Sequence, residues 1–146
     1  MKKAFRHFIS DADEQKILQA IARAEKNTSG EIRVHLHKGA KGDVMQNAVR
    51  TFEKLGMHKT ALRNGILFYI DIDRKEFAII GDKGIHEKVG KDFWEKLAAI
   101  LKEHFRNGDY AGGIIRAIDE TGMQLKKYFP YHADDINELP DEISYE

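Results

Sequence analysis

The sequence predicts an α/β fold: a three-layer αβα sandwich, Rossmann-like, with helices flanking a small mixed sheet of about four strands. Three observations point there. "EIRVHLH" over Glu31–His37 alternates polar and apolar residues at the period of a strand. "GILFYIDI" over Gly65–Ile72 is apolar at nearly every position, as in a central strand covered on both faces. Stretches with helical spacing of apolar residues precede, separate and follow these two runs.

Taken in order, Ser10 is a capping hydroxyl ahead of "DADEQKILQAIARAEKN", whose acidic residues suit a first helical turn. Ile17, Ala20, Ile21 and Ala24 make its apolar face, and Asn27 can close it. In the strand Glu31–His37, Ile32, Val34 and Leu36 face one side; Glu31, Arg33, His35 and His37 face the other, so it reads as half-buried. Asp43 caps a second helix with Val44, Ala48, Phe52 and Leu55 inward, and Gly56 is its stop. "EFAII" over Glu76–Ile80 follows the central strand across a turn short enough only for an antiparallel hairpin. "KDFWEKLAAILKEHFRNG" is a heavily buried helix through Phe93, Trp94, Leu97, Ile100, Leu101, His104 and Phe105, ending at Gly108. Asp109 caps a last helix to about Lys127, with Ile114, Ile115, Ile118 and Leu125 inward.

Residues 1–130 therefore read as one domain. Residues 131–146 read as an acidic tail, either solvated or strapped down by Ile136, Leu139 and Ile143. A strand–helix–strand crossover joins parallel strands. The starts of the first two strands and the end of the third then share one sheet end. Ser29-Gly30-Glu31, Arg63-Asn64-Gly65 and Gly81-Asp82-Lys83-Gly84 are expected to converge there.

Composition narrows the function. The 146 residues carry 24 Lys plus Arg and 24 Asp plus Glu, so net charge gives no reason to expect nucleic acid or an anionic membrane as partner. With 42% hydrophobic and 33% charged residues the chain reads as globular. There is no cysteine, which excludes disulfides, thiolate metal sites and cysteine nucleophiles. "MKKAFRHFIS" lacks a long apolar stretch, and no run approaches the roughly 18 apolar residues of a membrane span. The expectation is a cytoplasmic monomer.

Several motifs in order resemble the TPM domain family, named for thylakoid-lumen, photosystem-repair and acetylcholine-receptor-modulating proteins. "KNTSGEIRVHL" is similar to the family's Thr-Gly and strand. "FEKLGMHKTALRNGILFYI" is similar to its helix, Asn-Gly and apolar strand. "FAIIGDKGIHEKVG" resembles its glycine-bearing turn, and "HFRNGDYAGGI" its Gly-Asp-Tyr signature. The likeness spans roughly residues 27–130 and is nearest the stand-alone bacterial version. It implies an αβα sandwich that binds divalent cations, Ca²⁺ or Mg²⁺, and acid phosphatase activity in some members. Many relatives place a carboxylate where this chain has His86, which weakens any scheme using that carboxylate here.

Candidate residues follow. Asp82 reads either as a helix-capping aspartate or as a metal ligand paired with Glu31, since hard cations take several oxygens. Asn64 reads as an Asn-Gly turn residue or a ligand-orienting amide; Arg63 reads as part of that turn or as a phosphate fork. Together Arg63, Asn64 and Asp82 are the candidate catalytic set. Asp71 and Asp73, on one side of the pleat, are a second choice for a cation, joined by Asp109 if the last helix begins at that end. His35 and His37 have metal-chelating i, i+2 spacing but no evident third ligand, so a solvated strand face is the expectation. His86 is unsupported, and His104 reads as a packed core histidine. Trp94 reads as core. No G-x-S-x-G, P-loop or zincin motif is present, and Ser29 has no evident base. Two function classes remain: a metal-assisted phosphate-ester hydrolase acting on a phosphorylated small molecule, and a non-catalytic cation-binding module that meets a protein partner.

Overall fold

The computed structural model describes residues 2–131 and 142–146. Its sheet has four strands in the order β3-β2-β1-β4. β1 is Glu31–His37, β2 Gly65–Asp71, β3 Glu76–Gly81 and β4 Ile143–Tyr145. β1 and β2 are parallel, with Glu31 opposite Gly65 and His37 opposite Asp71. β3 returns antiparallel from the hairpin, and β4 joins β1 in parallel. The parallel pair and the hairpin are as expected. The fourth strand includes Ile143; Ile136 and Leu139 lie outside the described residues.

Among the described residues five α-helices flank the sheet: α1 (Asp11–Glu25), α2 (Val44–Lys54), α3 (Lys83–His86), α4 (Lys91–Arg106) and α5 (Tyr110–Tyr128). Ser10 and Asp13 form a reciprocal capping box at the start of α1. Asp43, Asp82 and Asp109 each cap the helix that follows. Gly56 and Gly108 take left-handed conformations that end α2 and α4.

The alternation of β2 splits the core in two. Ile66, Phe68 and Ile70 point into the larger cluster under α1, α4 and α5. Leu67 and Tyr69 point into a smaller one under α2, with Ala48, Phe52 and Met57. Each fully buried large side chain contributes about 1.5–3 kcal/mol, so the two-sided burial of β2 anchors the fold. The stretch before α1 also contributes: a 3-10 turn over Lys2–Phe5 leads to Phe5, Phe8 and Ile9, all buried. Phe8 stacks on Tyr110 at 4.4 Å. Trp94 and His104 are partly buried, and Trp94 packs against the edge of the larger cluster rather than inside it. No helix among the described residues is long and apolar enough to cross a membrane.

β1 departs most from expectation. Its polar face is not half-solvated: Glu31, Arg33 and His35 are 3%, 6% and 4% exposed. The cause is β4. Arg33 donates to Glu142 at 2.6 Å, and His35 meets Ser144 and Glu146. The polar alternation of β1 is thus the docking surface for a segment more than a hundred residues away.

Candidate functional site

One end of the sheet gathers the three turns expected to converge. Glu31 N donates to Asn64 O at 3.2 Å, Asp82 N to Gly65 O at 2.9 Å, and Gly84 N to Arg63 O at 2.9 Å. Asn64 is buried, its amide 3.4 Å from the Ser29 hydroxyl. Arg63 reaches Asp82 with both prongs, Nε to Oδ2 at 2.6 Å and Nη2 to Oδ1 at 2.8 Å. Oδ1 also accepts from Lys83 N at 2.8 Å. Hydrogen bonding to Asp82 raises the Arg63 pKa. The left-handed residue of this turn is Arg63, at φ 53°, and not the Asn-Gly pair that propensity favours.

This donor set fits a cation poorly. Three N–H groups already occupy the Asp82 carboxylate, and a metal beside it would face a guanidinium. The Arg63 fork, spent on Asp82, is likewise not presented to a phosphate. The geometry is that of a capped, ion-paired corner.

The opposite end collects the carboxyl ends of β1, β2 and β4, where ligands of open α/β sheets commonly bind. Asp71 is fully buried. Its Oδ1 accepts from Asp73 N and Arg74 N at 3.2 and 3.1 Å, and its Oδ2 from Arg74 Nε at 2.6 Å. Asp73 is exposed, and its Oδ2 accepts from Gly39 N at 2.5 Å. Asp71 and Asp73 therefore do not share a pleat side: β2 stops at Asp71, and alternation stops with it. α5 does begin at this end, because Lys75 in the hairpin turn sits 5.6 Å over the Tyr110 ring. Asp109, exposed, precedes Tyr110 and accepts from Gly112 N at 3.1 Å.

A third arrangement escaped the sequence reading. His35 Nε2 is 3.1 Å and His37 Nδ1 3.8 Å from Glu146 Oε1. Among the described residues, this trio is the group of His and acidic side chains whose ligand atoms lie within 4.8 Å of one another. His35 is not solvated, and its third partner arrives from β4. Burial lowers the His35 pKa to about 4, the nearby Glu146 carboxylate only partly opposing it. His37 Nδ1 meets the Tyr69 hydroxyl at 2.5 Å. Burial first, then the Asp71 charge, pushes Tyr69 up to about 12, so that hydroxyl keeps its proton. The i, i+2 histidines were the one available signal.

His86 packs tilted against Trp94, ring centroids 4.9 Å apart, beside an apolar groove of about 590 Å³ along β3. His104 Nδ1 lies 2.9 Å from Ile100 O. Neither touches the carboxylates above.

Comparison with known proteins agrees with this architecture. The family model for the TPM domain, designated TPM phosphatase, matches residues 3–124. The BA42 protein of the psychrophilic bacterium Bizionia argentinensis is 45% identical, with a TM-score of 0.90 over 95% of this chain and 96% of that one. The N-terminal domain of a P. gingivalis protein shares the fold at 18% identity, TM-score 0.66, covering 86% and 82% of the two chains. The N-terminal domain of cg2496 from Corynebacterium glutamicum does so at 13% identity, TM-score 0.64, covering 92% and 79%. No curated protein matches the chain.

Proposed function

The chain belongs to the TPM domain family, and from that premise we propose that it is a module binding a hard divalent cation, Ca²⁺ or Mg²⁺, at the hairpin end of its sheet. The observation that carries this reading is that the β2–β3 turn touches both the loop after β1, through Asp73 and Gly39, and the start of α5, through Lys75 and Tyr110. Among the described residues Asp71, Asp73 and Asp109 do not form a ligand group within 4.8 Å, so an ion would have to draw the two exposed carboxylates together. Two exposed carboxylates, Asp73 and Asp109, belong to this end, with Asp71 buried beneath the turn. Carboxylates and turn carbonyls are the donors such ions take. Glu31 and Asp82 are the weaker choice, because binding there requires the Arg63–Asp82 pair to open.

The family designation supports a second reading, phosphate-ester hydrolysis. A cation bound at the hairpin end would polarise a phosphoryl oxygen and acidify a water. The chain's own contribution is less developed. The Asp71 oxygens are taken up by N–H donors, and among the described residues no side-chain nucleophile with a base partner stands beside them. The scheme with Arg63 on phosphate, Asn64 orienting the ligand and Glu31 or Asp82 on metal needs the closed corner to open first. We therefore place cation binding ahead of catalysis.

The test is a Ca²⁺ and Mg²⁺ titration of wild type, Asp73→Asn, Asp109→Asn and Asp82→Asn, with a generic phosphate ester assayed in parallel. Binding lost in the first two variants and kept in the third supports this reading. Binding lost only with Asp82 overturns it in favour of the other end. Turnover that needs the cation supports the hydrolase; binding without turnover supports the non-catalytic module.

A further inference from the structure

We propose that His35, His37 and Glu146 form a site for one divalent transition-metal ion of the zinc class, built from side chains other than the carboxylates of the proposed Ca²⁺ or Mg²⁺ site. Two imidazoles and one carboxylate are a donor set that zinc accepts and that Ca²⁺ and Mg²⁺ do not favour.

The distances suit such an ion. Bonds of about 2.0–2.1 Å in a tetrahedron put neighbouring ligand atoms roughly 3.3 Å apart. The two distances to Glu146 Oε1, 3.1 Å from His35 and 3.8 Å from His37, bracket that edge. Small side-chain adjustments would close it.

The backbone holds all three ligands in place. His35 and His37 are on the same face of β1, which is hydrogen-bonded on both sides. Glu146 continues β4 with a reciprocal pair of bonds: its N donates to Leu36 O at 2.9 Å, and Lys38 N donates to its O at 2.8 Å. Its side chain is 42% exposed, so the cluster opens to solvent on one side.

Ser144 is placed to orient the ring: its hydroxyl oxygen lies 2.7 Å from His35 Nδ1 and 3.4 Å from Val34 O. When Nδ1 carries the proton and Ser144 accepts it, Nε2 keeps the lone pair that a metal takes, 3.1 Å from Glu146 Oε1. Without an ion the other tautomer donates Nε2–H to Glu146. Ser144 plays the part that orienting hydrogen bonds play for metal-binding histidines. A competitor is visible too, since the Tyr69 hydroxyl sits on His37 Nδ1 at 2.5 Å and must yield that lone pair.

The surroundings leave room for a fourth ligand. His37 and Glu146 form part of the wall of a pocket of about 250 Å³, completed by Asn47, Arg50, Thr51 and Lys54. Three protein ligands with an open side toward solvent is the arrangement of exchangeable rather than closed zinc sites. Arg50 and Lys54 bias that side toward an anionic ligand or water.

The experiment is calorimetric titration of untagged, metal-stripped protein with Zn²⁺ at neutral pH, with Co²⁺ as a spectroscopic probe of coordination. The expected result is one Zn²⁺ per chain at micromolar affinity or tighter, and visible Co²⁺ absorption of tetrahedral intensity. Glu146→Gln and His37→Gln should each weaken Zn²⁺ binding about tenfold or more, while Asp73→Asn leaves it unchanged. Glu146→Gln alters an exposed side chain, so it decides the matter if His37→Gln fails to fold, as amide spectra would show. No binding to wild type at tens of micromolar Zn²⁺, or affinity unchanged in Glu146→Gln, overturns the site. Loss of Ca²⁺ binding in Asp73→Asn with Zn²⁺ binding intact separates this proposal from the one above.

Discussion

Arg63 closes on Asp82 with two short bonds, Nε to Oδ2 at 2.6 Å and Nη2 to Oδ1 at 2.8 Å, from a left-handed backbone position. This pair determines how its end of the sheet behaves. Asp82 is nearly buried and also caps α3, whereas the Arg63 side chain is 38% exposed. Asp82→Ala should therefore destabilise more than Arg63→Ala. Loss of the cap alone costs Asp82→Ala about 1–2 kcal/mol. Arg63→Gly should recover part of the Arg63→Ala loss, because glycine accepts the left-handed conformation. Urea unfolding of the three variants checks the ranking; stability of all three equal to wild type would show that the pair contributes nothing.

The His35 imidazole is held neutral by burial, with a pKa lowered from 6.5 to about 4. A depressed histidine gives stability that is present at pH 7 and lost as pH falls. Below 6.5 the unfolded chain takes up a proton that the folded chain refuses until about pH 4. Over that window wild type should lose up to about 3 kcal/mol through this one group. His35→Gln should lack that component. The check is urea unfolding of both proteins across pH 7 to 4 in the presence of a chelator. Parallel pH profiles would contradict the assignment.

Gly122 is where α5 crosses α1. A Cβ there would lie 2.8 Å from Ala24 Cβ and 3.1 Å from Ala24 Cα. Helix propensity favours alanine over glycine by about 1 kcal/mol, but overpacking costs about 1–3 kcal/mol. Backbone cannot rotate aside, so the clash wins. Gly122→Ala should lower stability by about 1–2 kcal/mol, read by thermal and urea unfolding. A stabilised variant would show that the two helices separate easily.

The β1–β2 crossover, the hairpin and the burial of β2 were legible because each rests on local periodicity and short connections. Gly56 and Gly108 announced the ends of α2 and α4 in the same way. The polar face of β1 was not legible. Arg33 and His35 alternate with apolar residues as a solvent face does, and their partners Glu142, Ser144 and Glu146 lie 109 to 111 positions away. Asp73 does not share the pleat with Asp71 because β2 ends at Asp71, whose carboxylate instead accepts from the Asp73 and Arg74 amides of the turn. At the candidate site, sequence order correctly brought Arg63, Asn64 and Asp82 together. It could not show that Arg63 and Asp82 satisfy one another, since that depends on side-chain direction across two turns.

The most direct test of the cation assignment is an amide NMR titration with Ca²⁺ to a few times the ~1 mM dissociation constant of weak calcium sites. Saturable shifts are expected at Gly39, Asp73 and the Asp109–Gly112 turn, lost in Asp73→Asn and Asp109→Asn, with Glu31, Asp82 and Lys83 unmoved. Saturable shifts at Glu31 and Asp82, with Gly39 and Asp109 silent, would contradict that assignment.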